Sequence, residues 1–299
     1  MAILLISLSA TSSAITGLVK EQADVTAAQS LEAGTNYPIP VDIVIDLYYT
    51  DARESPGSVY HAGTPNYTRR SGNIYSFAFH PGVPEKLYFV NANENKIYRT
   101  HMRSDGYYFP EETVYTHDTY VRDIAFALDD SGDLRLYFSE ATGAGANGMI
   151  YRLETNGTAA PFYVVRLSDV GGSWAGDFAF DTEGNLYLSS GNRIPASIYR
   201  VRSGTGVVEV VYTDNTEPIK GLVVKDGAIY YANWRNTIYK LNLTDGSKID
   251  IYTDSDRTWL SDVGFRRVLS ADEMPRAGTY ERLPLRDFTR TMTRAAIHK

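Results

Sequence analysis

Three aspartates share one local setting: Arg122-Asp123-Ile124, Gly176-Asp177-Phe178 and Ser261-Asp262-Val263, each opening a short apolar run. Carboxylates gathered at one repeated position repel each other. They need a cation, bridging waters or basic neighbours such as Arg122 and Lys220. A rigid ring of oxygen ligands suits Ca²⁺, which makes Asp123, Asp177 and Asp262 a candidate metal site. The plainer alternative is structural, with each carboxylate accepting N–H bonds from the adjacent loop. All three tryptophans, Trp174, Trp234 and Trp259, fall in loops near these positions, as do Tyr120, Arg122, Arg193 and Arg235. Aromatic rings interleaved with guanidinium groups are suited to the mouth of a ligand site. The same rings could instead plug gaps between packed sheets.

Other chemistries find little support. There is no cysteine, so disulfides, thiolate metal sites and Cys nucleophiles are excluded. None of the five histidines (His61, His80, His101, His117, His298) forms a His-x-x-x-His or Glu-x-x-His pattern. No Gly-x-Ser-x-Gly elbow occurs. The run GAGANG at 143–148 lies between two predicted strands, which marks it as a loop and not a phosphate cradle. With a net charge of −7 and no basic stripe in the body of the chain, a nucleic-acid partner is not expected.

The elements that must position these residues are read from a repeat. A Tyr-containing strand, a polar loop and a strand ending in a β-branched residue, Tyr and a basic residue recur. Examples are LYFVNANENKIYR at 87–99, LYLSSGNRIPASIYR at 186–200 and IYYANWRNTIYK at 229–240. The anchors Tyr48, Tyr88, Tyr137, Tyr187 and Tyr230 stand 40, 49, 50 and 43 residues apart. One four-stranded blade takes about that many residues. A strand precedes each anchor (YSFAF 75–79, RDIAFAL 122–128, GDFAFD 176–181, GLVV 221–224, SDVGF 261–265), joined to it by turns such as DDSGD, DTEGN or KDG. A fourth follows at ETVYT 112–116, FYVVRL 162–167, VEVVYT 208–213 and KIDIYT 248–253. With 23 Tyr and 24 Gly, the composition fits half-buried pleated surfaces and many turns. The predicted fold is an all-β propeller of four-stranded blades. A degenerate unit through VLSAD (268–272) and GTYER (278–282), with Tyr280 in the place of the repeat Tyr, makes six blades. Without it there are five, and SDVGF closes against the first unit. Six is the favoured count.

The pattern of apolar strand, Asp-x-x-Gly-Asn-Leu-Tyr-Leu, loop and Ser-Ile-Tyr-Arg, clearest at Asp181–Arg200, resembles the NHL, gluconolactonase and strictosidine-synthase-like group of six-bladed propellers. That superfamily includes TolB-like repeats, and the match covers residues 41–282. The resemblance implies an architecture shared by enzymes, sugar and peptide binders and scaffolds, so function must be argued from the site. The run Asp-Gly-x-x-x-Asp-x-x-Gly-Arg, which would support the metal-dependent lactonases of the group, is absent. Of the histidines, only His117 lies in a loop that could serve the lyase-type chemistry.

Three regions result: 1–35 as a signal peptide or a strand plus helix, 36–282 as the propeller, and 283–299 as a basic tail. Residues 2–19 carry no charge and begin apolar, which favours secretion to the cell exterior or periplasm. The run is too short and polar for a stable membrane span. Asn66, Asn156 and Asn242 head N-x-Ser/Thr acceptors, in keeping with that route. The expected function is binding of a glycan, peptide or protein on the face carrying the loops between strands 4 and 1 and strands 2 and 3. The alternatives are a gluconolactonase-like hydrolase or lyase and a structural subunit of a larger assembly.

Overall fold

A computed structural model of the protein describes residues 47–280 apart from 70, 92, 105–106, 141–146, 167, 173, 175, 192 and 267. The expected N-terminal segment (1–35) and basic tail (283–299) lie outside the described residues. Within them the chain forms strands and no helix. None of it is a helix long and apolar enough to cross a membrane.

Five antiparallel sheets of four strands follow one another along the chain. The second blade is β4 (Ser76–His80), β5 (Val83–Asn91), β6 (Lys96–His101) and β7 (Glu112–Thr116). The third is β8 (Val121–Leu128), β9 (Leu134–Glu140), β10 (Gly148–Leu153) and β11 (Ala159–Val165). The fourth is β12 (Phe178–Phe180), β13 (Leu186–Ser189), β14 (Ala196–Val201) and β15 (Val208–Asp214). The fifth is β16 (Lys220–Lys225), β17 (Ala228–Ala232), β18 (Thr237–Asn242) and β19 (Lys248–Thr253). The first blade takes three strands from the start of the described chain, β1 (Leu47–Asp51), β2 (Ser58–His61) and β3 (Thr64–Thr68). Its innermost strand comes from the end, where β20 (Leu260–Phe265) pairs with β1 through Tyr49↔Val263 and Thr50↔Asp262. That pairing closes the ring and removes the two open edges an unclosed array would leave between its first and last blades.

Five apolar clusters fill the gaps between successive blades, each drawing on both neighbours. The anchor tyrosines Tyr48, Tyr88, Tyr137, Tyr187 and Tyr230 are all buried in these seams. The second repeat tyrosine is equally regular. Tyr98 lies opposite Phe89, Tyr151 opposite Phe138, Tyr199 opposite Leu188 and Tyr239 opposite Tyr231. Tyr98 and Tyr151 stack on their partners at 5.4 and 5.1 Å between ring centroids. A register shift precedes the tyrosine in each of these blades, and Tyr60 repeats the arrangement in the first. An extra residue on one strand raises the local twist, which aims the ring back over strand 2.

The sixth blade is corrected to an irregular strap. After β20 the chain runs beneath the ring without forming a sheet. The Leu269 amide donates to Pro81 O (3.0 Å), Leu128 N to Pro275 O (2.7 Å) and Ala277 N back to Leu128 O (2.7 Å). Tyr280 occupies no strand position. Its hydroxyl donates to Gly184 O at 2.7 Å, and its ring meets Phe162 and Tyr163 at 5.6 and 5.1 Å. The segment from 268 to 280 lacks the two alternating apolar runs a blade needs. Of its apolar residues, Ala277 and Tyr280 fill the seam between the third and fourth blades, while Val268 stands exposed.

Candidate functional site

The five inner strands begin with aligned residue pairs, which form two tiers at the loop end of the central channel. The first tier is Ser261, Tyr75, Arg122, Gly176 and Lys220. The second is Asp262, Ser76, Asp123, Asp177 and Gly221. Two glycines make room for their neighbours. A Cβ on Gly176 (φ +88°) would lie 2.6 Å from Arg122 Cγ, and one on Gly221 (φ +51°) would lie 2.4 Å from the Asp262 Cα.

The second tier clasps blade to blade. Asp262 Oδ2 accepts the Phe77 amide at 2.8 Å, and Asp123 Oδ2 accepts the Phe178 amide at 2.7 Å. The other oxygens accept the amides of Val263 and Ile124 at 2.8 Å, and Ser76 Oγ donates to Asp123 Oδ1 at 2.5 Å. Asp177 Oδ2 takes Ser189 Oγ at 3.3 Å and lies 3.2 Å from Lys220 Nζ. All three carboxylates are buried. Burial first, and the charge of Asp177 second, push Asp123 up to about 7. Burial, then Asp123, raises Asp262 well above the carboxylate range. Burial likewise lowers the Lys220 ammonium, against the pull of Asp177.

Calcium binding requires ionised carboxylates with free lone pairs. In Asp123 and Asp262 both oxygens already accept hydrogen bonds, and burial favours their neutral form. This donor set does not fit Ca²⁺. Among the described residues, no three His, Asp or Glu groups come together as a metal cluster.

Above the clasps sits a cluster of rings and cations. The Arg122 guanidinium carbon is 3.7 Å from the Tyr75 ring centroid, and Lys220 Nζ is 4.9 Å from the Trp234 ring. The contact of Lys220 with Asp177 is an ion pair without hydrogen-bond geometry, and the buried Tyr75 hydroxyl has no partner among the described residues. Trp234 meets Trp259 edge-on at 5.1 Å and Tyr75 at 5.9 Å. Arg53 lays its guanidinium 3.2 Å from the Trp259 ring centroid. Trp234 holds φ at +58°, a left-handed conformation rare for a bulky residue.

The remaining candidates do not join this group. Trp174 rests on Gly148, where a Cβ would come within 1.7 Å of its ring, and packs in the seam between the third and fourth blades. Tyr120, Arg193 and Arg235 stand exposed on loops, Arg235 with an ion pair to Glu217 at 3.6 Å. Sequence reasoning passed over Tyr75 and Arg53. Tyr75 is the second blade's counterpart of Arg122, and Arg53 lies in DARESPG, the first unit's version of the loop that supplies Trp234 in the fifth. Asp254 was also missed. Burial raises its pKa, but hydrogen bonds from Tyr49 (2.5 Å), the Asp256 amide and Arg257 hold it below the usual carboxylate range.

No protein-family model matches the chain, and no curated protein matches it. Solved structures do. A chain of a nidogen–laminin complex is 13% identical over 75% of this chain and all of its own, with a TM-score of 0.48. TolB from Acinetobacter baumannii is 14% identical over 85% of this chain and 62% of its own, at 0.45. The calcium-binding protein regucalcin from Agrobacterium tumefaciens strain C58 is 14% identical over 59% and 72%, at 0.39. Overlaps of this size carry no argument about ligand or activity. The strand order and the closure through β20 make the chain a five-bladed β-propeller.

Proposed function

We propose that this is a binding propeller, which recognises a peptide, glycan or protein on its loop face over Trp234 and Trp259. The edge-on tryptophan pair carries this reading. Its rings are only partly buried and stand beside the exposed Arg53 at the end of the channel. Paired aromatics flanked by guanidinium groups offer a large contact area and directional donors at small entropic cost. The left-handed backbone of Trp234 costs roughly 1–3 kcal/mol, and strain of that kind gathers at ligand clamps. A metal-dependent lactonase would need free carboxylate oxygens at the channel mouth, and those of Asp123 and Asp262 are engaged.

Two of the three tryptophans sit in the proposed site, so intrinsic fluorescence is a built-in reporter. Glycan and peptide arrays probed with the full chain should yield a ligand that shifts this emission. Trp259→Ala and Arg53→Ala should each weaken its binding at least tenfold while keeping the fold. Undiminished binding to the double variant would overturn the reading. An extracellular or surface setting belongs to the same proposal, and fractionation of expressing cells tests it.

A further inference from the structure

The opposite end of the channel opens into a chamber of about 480 Å³, which reaches as deep as Asp262. That volume falls within the usual range for small-molecule sites, roughly 300–1,000 Å³. Its origin is legible in the inner strands. Two residues after each second-tier position comes a small one: Ala78, Ala125, Ala179, Val223 and Gly264. Strand alternation turns these to the same side as the aspartates, and all five line the chamber. One residue further on, Phe79, Phe126, Phe180 and Phe265 wall the opening. Small residues facing the axis leave the space, and aromatic rings line its way out.

The rim is acidic. Asp181, Glu183, Asp226, Asp272 and Glu273 line the opening against two bases, Lys225 and Arg200. Arg200 is drawn away by Glu209, to which its Nε donates at 2.5 Å. Lys225 places its ammonium 4.3 Å from the Phe265 ring centroid, so one ring face at this opening already seats a cation.

We propose that the chamber is a second binding site, independent of the loop face, for a small organic cation: an amine or quaternary ammonium on an apolar body. The body fills the space below Asp262, on the side away from the loop face, between the small residues. The charged head stays at the opening, where phenylalanine faces and the carboxylate rim both favour it. A carboxylate-headed compound of the same shape meets the rim with the wrong sign, and a neutral one gains only the apolar contacts.

Three probes of equal shape test this on the full chain by calorimetry or ligand-observed NMR: 4-phenylbutylamine, 4-phenylbutan-1-ol and 4-phenylbutanoate. The amine should bind roughly three- to tenfold more tightly than the alcohol in dilute buffer, with the carboxylate weakest. The preference should narrow at high salt, because the rim is exposed. Asp226→Asn with Asp272→Asn, both exposed, should erase most of the amine preference and leave the alcohol unchanged. Ala125→Leu should weaken all three probes. An alcohol that binds as well as the amine, or a preference indifferent to the rim variants, overturns the cation assignment. Absence of binding by any probe at millimolar concentration overturns the chamber as a site. Trp259→Ala must leave probe binding intact; a loss there would move the probes to the loop face and sink the proposal, with the loop-face reading left standing.

Discussion

Asp123 reaches across the seam between the third and fourth blades to accept the amide of Phe178 at 2.7 Å, and Asp262 repeats the contact to Phe77 between the first and second. A carboxylate at the start of an inner strand thus fastens each of these blades to the next. Asp123→Ala leaves the Phe178 and Ile124 amides and the Ser76 hydroxyl short of an acceptor. It should cost about 2–4 kcal/mol in denaturant unfolding, with no change in far-UV dichroism of the folded protein.

The same residue gives stability a pH dependence of unusual sign. Its folded pKa of about 7 lies above the unfolded value near 4, so the folded state holds the proton more tightly. The contribution is complete below about pH 4 and fades as pH rises through 7. Between pH 5 and 8 wild type should therefore lose stability with rising pH relative to Asp123→Asn, by roughly 1 kcal/mol or more. Parallel melting curves for the two proteins over that range would refute it.

Gly176 makes space for Arg122 at a backbone angle hostile to side chains. Gly132, with φ +80° and open space where a Cβ would stand, is the control. Gly132→Ala should cost about 1 kcal/mol from backbone strain alone, and Gly176→Ala at least about 2. In an Arg122→Ala background the contact with Cγ is gone but the Cβ at 3.0 Å remains, so the excess should shrink without vanishing, which a double-mutant cycle reads directly.

The repeat tyrosines Tyr98, Tyr151, Tyr199 and Tyr239 each cross strand 2 at the same step. Tyr→Ala at any of them should cost roughly 2–4 kcal/mol. Tyr98→Phe keeps the stack on Phe89 but loses the hydroxyl bond to Glu94, and should cost about 1 kcal/mol. Losses under about 0.5 kcal/mol at all four Tyr→Ala variants would mean that the rings are surface decoration.

Tyr280 ties the strap to the fourth blade. Tyr280→Ala should lower the melting temperature and speed hydrogen exchange at Ala277 and Leu128, whose amides bond the strap to the third blade. Unchanged exchange at both amides would show that the strap holds without this anchor.

Local pattern alone sufficed for much of the fold. Strand periodicity, the spacing of Tyr48 through Tyr230 and turns such as Asp129–Asp133 are short-range features, and they locate four strands per blade from Ser76 to Thr253. β3 escaped notice because Thr64–Thr68 contains Pro65 and little alternation. Blade number was a different matter. It depends on whether Ser261–Phe265 opens a new sheet or joins one begun some 200 residues earlier, and only the pairing of β20 with β1 decides that. The site divides in the same way. The shared position of Asp123, Asp177 and Asp262 was visible in the sequence. What their oxygens accept was not, since the donors belong to the neighbouring blades. The pairing of Trp234 with Trp259, the separation of Trp174 and the chamber behind Asp262 likewise arise from closing the ring, which brings distant side chains together or holds them apart.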